Sequence, residues 1–398
     1  MRFVGAEVLL YGYGLVCLSM LVFNVIYGLH LRSDDKRLKK RIDNIFNQVE
    51  KQIENIHEGK PLQSGHSKWM RKKLSKVNYL IAFDHFLDEH NSDDEDFQKY
   101  LQNLQPVFLY LTTVYWKREA AQAAYYCYFL ARHRLNNRAG TDQVQKVVLS
   151  YLKKDNLYCR INAFKALCIF GSPDVLAEAL TEIGKESGAQ LHEKIITEAL
   201  MTYKGDAGEL IERFWAKFDQ FPIHIQRAIL DYIRFKSGNY HERMEEILRD
   251  TDRNKELRFS AIRYFGKYPD PAVQDILLDF VKNRDPVQWE YAAISASSLA
   301  GYPGEKTVEA LLDAMHSPNW YIRYNASASL EGLGLSYEGM LRILAGDDRY
   351  AREMLSYRME SKRLENQERE VVKPVETREE KAADNADAPD NGKAAVGI

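Results

Sequence analysis

Apolar positions are laid out along this chain in three regimes, and each predicts a different element. Residues 8–31 contain no Asp, Glu, Lys or Arg, a run of about 24 residues that is long enough to cross a bilayer core of about 30 Å as a helix. Ile42, Ile45, Phe46, Val49, Ile53 and Ile56 then recur at three- and four-residue intervals, which predicts an amphipathic helix. That helix has three readings: it pairs with a partner helix, pairs with itself, or caps the helical region C-terminal to it. Gly59, Pro61 and Gly65 mark a break. From about residue 77 helical spacing resumes with many aromatic residues, among them Phe83, Phe86, Tyr100, Phe108, Tyr115, Tyr126 and Phe129. They seal the end of a helical stack in one reading and form a docking surface in the other.

Further on, one frame repeats. Arg160, Ala163, Leu167 and Gly171 share their spacing with Lys194, Thr197, Met201 and Gly205, and with Arg323, Ala326, Leu330 and Gly334. Three more copies keep the spacing with changes: Arg227, Leu230, Arg234 and Gly238 put a charge where the large apolar residue belongs, Arg258, Ala261, Phe265 and Pro269 replace the glycine, and Glu290, Ala293, Ser297 and Gly301 replace the basic residue, so that two of the six units fit poorly. A template returning about every 33 residues belongs to a solenoid, in which each unit buries its apolar face only against its neighbours. The small residue admits close helix approach, the large one fills between layers, and the glycine is expected as a left-handed C-terminal cap. Asp155, Asn254, Asp285 and Asn319 are the expected N-caps of the second helix of their units. Prolines just after the turns, at Pro173, Pro271 and Pro303, suit a helix end followed by a new helix start. After about residue 357 the chain becomes charged and Ala-rich, and disorder is expected there.

The frame resembles the HEAT repeat, in particular the short HEAT-like repeats associated with phycobilisome lyases, over roughly residues 144–345. The resemblance implies an all-α fold, an α-solenoid of HEAT-like helix pairs; the apolar block and the amphipathic spacing put one transmembrane helix and an amphipathic juxtamembrane helix before it. It says little about activity, because the same architecture carries transport receptors, lyases, a hydroxylase and plain scaffolds. The expected organisation is a short extracytoplasmic tail at 1–7, the span at 8–31, a basic juxtamembrane helix and hinge at 32–78, the solenoid at 79–356 and a disordered tail at 357–398.

Charge sets the orientation. Arg32, Lys36, Arg37, Lys39, Lys40 and Arg41 follow the apolar block and only Arg2 precedes it, so the positive-inside rule places the repeats in the cytoplasm. A cleavable signal peptide is the competing reading; its basic region would be only Arg2 and the amino terminus, and no small-x-small site follows the block. A net charge of −2 argues against a nucleic-acid groove, which needs a strongly basic face. The juxtamembrane cluster, with Arg71, Lys72 and Lys73 in a second group, is a candidate contact for anionic lipid. The plainer reading is topology for the first cluster and a solvated loop for the second. Cys17 lies in the apolar block, and Cys127, Cys159 and Cys168 fall in helical patterns without paired spacing, as small core residues do.

Catalytic chemistry finds little footing. In the hydroxylases of the HEAT-like class, His-Glu pairs at matched repeat positions hold a di-iron centre. Here the residues after the anchors are Ile161-Asn162, Ile195-Ile196, Ala228-Ile229, Phe259-Ser260, Tyr291-Ala292 and Tyr324-Asn325, none of which offers such a pair. His192-Glu193 and His241-Glu242 occupy non-equivalent points of their repeats. No Walker loop, dinucleotide fingerprint, nucleophile elbow or zinc spacing occurs. No catalytic residue, metal, cofactor or small-molecule substrate is therefore expected. The reading is a membrane-anchored, non-catalytic scaffold that docks a protein partner, an integral membrane enzyme or transporter being one such partner. Trp289, Trp320 and Tyr321, which are expected just before the second helices of the last two units, are the candidate partner surface; local packing under the loops is the alternative. A HEAT-like lyase or hydroxylase is the runner-up function, and an anionic-lipid module the third.

Overall fold

A computed structural model describes residues 5–89, 94–133, 142–185, 190–335 and 346–372. Among the described residues every regular element is helical, and the chain divides into two units, residues 1–237 and 238–398.

In the first unit α1 runs from Ala6 to His57, followed by α2 (His66–Leu74), α3 (Val77–Glu89), α4 (Glu95–Asn103), α5 (Gln105–Trp116) and α6 (Ala120–Arg132). Three further pairs follow: α7 (Asp142–Tyr151) with α8 (Leu157–Phe170), α9 (Pro173–Lys185) with α10 (Glu193–Leu200), and α11 (Ala207–Trp215) with α12 (Ile223–Lys236). First helices stack on first helices, α5 on α7, α7 on α9 and α9 on α11; second helices stack in the order α6, α8, α10, α12. This is the solenoid that the repeated frame requires, since neither face of a pair is covered from within the pair.

The start of the stack is sealed by α1 to α4. α1 packs against α3 and α4 and buries Ile45, Val49 and Gln52. Of the three readings of this amphipathic stretch, capping is the one observed. The apolar block and the amphipathic stretch are one uninterrupted helix. Behind it, Phe83, Phe86, Phe97, Tyr100, Phe108, Tyr115, Tyr126 and Phe129 are buried, so most of the aromatic run is core; Tyr110, Trp116 and Tyr128 remain exposed.

His66 lies inside this seal, with Nε2 3.0 Å from the Tyr100 hydroxyl and its ring stacked on Trp69 at 6.0 Å. Burial lowers its pKa to about 4, so the folded protein keeps it neutral where the unfolded chain, near 6.5, takes up a proton. Stability from this group is complete above pH 6.5 and is lost as the pH falls from there towards 4. Between pH 7 and pH 5 the loss is expected to be roughly 2 kcal/mol. Urea midpoints of the wild type and of His66→Gln at the two pH values check it: the variant should lose that much less on acidification.

In the second unit the pairs are α13 (His241–Arg249) with α14 (Lys255–Lys267), α15 (Pro271–Lys282) with α16 (Trp289–Ser298) and α17 (Glu305–Ala314) with α18 (Trp320–Gly332), and α19 (Arg349–Val372) packs on α18. α14, α16 and α18 stack in order, and α15 stacks on α17. Layers are stapled by side chains that bond backbone carbonyls of the preceding layer. The Asn325 amide donates to Ala293 O at 2.7 Å, Ser329 Oγ to Ala296 O at 2.7 Å and Ser298 Oγ to Ile262 O at 3.0 Å. In the first unit Asn162 reaches Ala124 O at 3.2 Å in the same way.

Three sequence expectations are corrected. Of the five template glycines only Gly334 has a positive φ, +82°. Gly171 is extended, and a Cβ there would sit 2.5 Å from Leu167 O; at Gly238 and Gly301 it would sit 2.8 Å from Tyr268 and Pro269. Clearance, not handedness, is what selects glycine at those turns. The N-cap of α8 is Asn156, whose Oδ1 accepts from Cys159 N at 2.9 Å, one residue past the expected Asp155, and Asp285 caps the short 3₁₀ turn Pro286–Gln288 that leads into α16. Asn254 and Asn319 cap α14 and α18 as expected. The third correction concerns the tail: helix continues from residue 357 to Val372, because Arg358 and Lys362 both bind Glu331 of α18. Residues 373–398, the remainder of the expected disorder, lie outside the described residues.

Candidate functional site

The N-termini of α16 and α18 lie on one edge of the second unit, and stacking of their layers brings the three candidate aromatics together. Trp289 stacks on Tyr321 with ring centroids 5.5 Å apart, and Tyr321 meets Trp320 edge to face at 5.2 Å. The series continues: Trp320 stacks on Tyr324 at 4.9 Å and meets Tyr357 edge-on at 5.9 Å. Trp320, Tyr321 and Tyr357 are 41%, 57% and 50% exposed. Offset and edge-to-face pairs hold such rings rigid, so five rings present a preformed, partly wet surface.

Beside them is a cleft of about 290 Å³ lined by Val281, Asn283, Pro286, Trp289, Pro318 and Ile322, among others. Its polar groups are largely satisfied within the loops. Asp285 Oδ1 accepts from Val287 N at 2.9 Å, Asn319 Oδ1 from Tyr321 N at 2.9 Å, and Arg284 pairs with Asp313. Such a surface offers apolar and ring contact and few open hydrogen-bonding groups, which suits a protein partner more than a charged small molecule. Tyr324 and Tyr357 were missed in the sequence. Tyr324 was legible as the i+4 neighbour of Trp320; Tyr357 was not, because it sits at the edge of a charged segment whose partner Glu331 lies far back in the chain.

The anchors of the repeat serve the scaffold in several units. Arg323, buried, donates to Ser317 O at 2.7 Å and Pro318 O at 2.9 Å. Arg258 donates to Leu248 O at 3.0 Å and the Tyr291 hydroxyl at 3.2 Å, and Arg227 pairs with Glu193 at 2.8 Å. Arg160 is buried. Lys194 points outward, near Glu198 at 3.9 Å. Of the His-Glu pairs, His192 caps α10 and His241 packs against Tyr264 at 5.6 Å.

A polar cluster lies between α3 and α6. His133 Nε2 is 2.5 Å from Asp84 Oδ1, the Tyr125 hydroxyl donates to Asp84 Oδ2 at 2.6 Å, and Arg132 reaches Asp88 at 2.8 Å and Asp84 at 3.7 Å. Burial alone would raise the Asp84 carboxyl, but the bonds from His133 and Tyr125, with the charges of His133 and Arg132, bring it below its ordinary value. The ligand atoms of Asp84, Asp88 and His133 lie within 4.8 Å of one another, yet Arg132 already supplies the positive charge that a cation would bring. The cluster is a staple between helices.

The lipid candidates divide by environment. Arg32, Lys36, Arg37, Lys39 and Lys40 are exposed on α1 and Arg41 is half-buried. On α2, Lys72 is exposed, whereas Arg71 lies over the Tyr110 ring at 5.3 Å and Lys73 over Tyr79 at 4.5 Å.

Comparison with curated proteins finds no match to the chain. Residues 241–331, which hold the three pairs α13/α14, α15/α16 and α17/α18, match the HEAT repeat family. The aromatic edge from Trp289 to Tyr324 falls inside that segment, so the candidate surface is carried by the matched repeats of a chain that contains HEAT repeats.

Proposed function

We propose that the protein is a single-span membrane adaptor whose HEAT repeats dock a protein partner on the cytoplasmic side. The observation that carries this is the ring series Trp289, Tyr321, Trp320, Tyr324 and Tyr357, held rigid and left partly exposed at the edge of the matched repeats. HEAT repeats are in general interaction modules, and rigid Trp and Tyr side chains are the residues that dominate protein interfaces.

The membrane part of the reading is supported by α1. Its most apolar window has a mean hydropathy of 1.9, with none of that window buried. A core helix of a soluble protein would hide that surface, which leaves a span or a signal sequence. The helix continues without a break into residues that seal the repeat stack, which supports a span retained in the working protein. The basic residues after it favour a cytoplasmic solenoid. Confinement to the membrane plane raises the effective concentration of the docking surface towards another membrane protein, an integral membrane enzyme or transporter being the class proposed.

A photo-crosslinking amino acid at position 321, compared with one at exposed Glu198, tests the docking surface in native membranes. The expected outcome is one discrete adduct from position 321, reduced at least tenfold by Trp320→Ala, about 1.4 kcal/mol of binding. Equal adducts from both positions, or indifference to Trp320→Ala, would sink the assignment.

A further inference from the structure

We infer that α1 is a rigid stand-off, holding the first layer of the repeat stack about 20 Å below the bilayer and presenting it to a partner's soluble portion projecting at least that far. This rests on the reading of residues 8–31 as a span. α1 is unbroken from Ala6 to His57 and contains no proline, the residue that most often kinks a helix. None of residues 32–44 is buried. Burial begins at Ile45 and continues at Val49 and Gln52, where α1 meets α3 and α4. Three contacts lock this lower part: Phe46 lies edge-on to Phe86 at 6.2 Å, Gln52 Oε1 accepts from Gln63 N at 2.8 Å, and His57 Nδ1 is 2.8 Å from Asp96 Oδ2.

From Leu31 to Ile45 the helix climbs roughly 21 Å at 1.5 Å per residue. A tilt of about 20° shortens that by little. The gap exceeds a Debye length of about 8 Å, so headgroup charge reaches Arg32, Lys36 and Arg37 and fades before Lys39, Lys40 and Arg41. Gln63, which leads into α2, is tied to the level of Gln52, roughly 31 Å from Leu31 by the same rise. The basic residues of α2 therefore start from the far side of the gap, and lipid contact by Arg71, Lys72 and Lys73 is not part of this arrangement.

The full-length protein in vesicles of phosphatidylcholine, with and without phosphatidylserine, gives the test. Spin labels at Leu21, Glu50 and Lys72 report oxygen and nickel accessibility, and dipolar distances to a headgroup-labelled lipid. Leu21 is expected to be accessible from lipid, and Glu50 to lie roughly 28 Å from the headgroups in a narrow distribution. Lys72 is expected to be unmoved by phosphatidylserine. Replacing Lys39 and Lys40 by Gly-Pro should broaden the Glu50 distribution. A broad or short Glu50 distance with Leu21 in lipid overturns the stand-off and leaves the span intact; so does a Lys72 label drawn to the headgroups by phosphatidylserine, or a Gly-Pro variant that fails to broaden. A Leu21 label accessible to nickel instead overturns the span reading, and the stand-off with it.

Discussion

Replacing Tyr126 by Ala is expected to destabilise the first unit by about 3–5 kcal/mol, the range for losing a large aromatic from a core. Tyr126 is fully buried, and its ring stacks on Tyr115 at 4.7 Å. Its hydroxyl donates to Phe108 O at 2.8 Å and lies 3.2 Å from Thr112 Oγ1. Truncation opens a cavity between α5 and α6 and removes a donor from a buried carbonyl that Thr112 Oγ1 also uses, at 2.7 Å. Tyr126→Phe keeps the packing and should cost only about 1 kcal/mol. Urea unfolding of both variants, followed by circular dichroism, separates the two readings of the aromatic run. A loss under about 1 kcal/mol for Tyr126→Ala would mean that these rings do not form the core.

Removing residues 1–31 is expected to transfer the protein from a carbonate-resistant membrane pellet to the soluble fraction. An apolar helix of this length inserts in an effectively irreversible way, whereas a few basic residues near the surface contribute about 1 kcal/mol each. The folded repeats should be indifferent to the loss: the apolar window of α1 has none of its surface buried, so the melting temperature is expected to stay within about 1–2 °C, the shift for a few tenths of a kcal/mol. Persistence in the pellet without the span would place membrane attachment elsewhere. A large fall in melting temperature would show that the apolar segment packs against the repeats.

The helical repeat was legible because it rests on spacing. The same spacing returns wherever one layer must meet the next, even where the residue types lapse, as at Arg234 and Ser297, and all six anchored second helices are present, from α8 to α18. What the frame could not convey was distance. Gly171, Gly238 and Gly301 look like left-handed caps in the sequence, but the structure needs them because Leu167 O, Tyr268 and Pro269 stand where a Cβ would be. The continuity of α1 was hidden by a change of pattern: a block apolar on every side and an amphipathic stripe facing protein have different periodicities, yet no proline or glycine separates them. The three candidate aromatics were readable as large rings at successive loop ends, and the structure brings them together with Tyr324 and Tyr357. Helix past residue 357 was invisible for a simple reason. A charged segment reads as solvated until its partner is known, and Glu331 lies 27 residues before Arg358.

Four of the bonds that clamp successive layers end on main-chain oxygens: Asn325 on Ala293, Ser329 on Ala296, Ser298 on Ile262 and Asn162 on Ala124. A carbonyl acceptor is present whatever the side chain, so a residue on the receiving helix can be exchanged without a matching change on the giving one. Neighbouring repeats can then drift apart in identity while their register is kept, which gives a material reason for a frame that tolerates Glu290 where its other copies carry a basic residue, and Arg234 and Ser297 where the others carry a large apolar one.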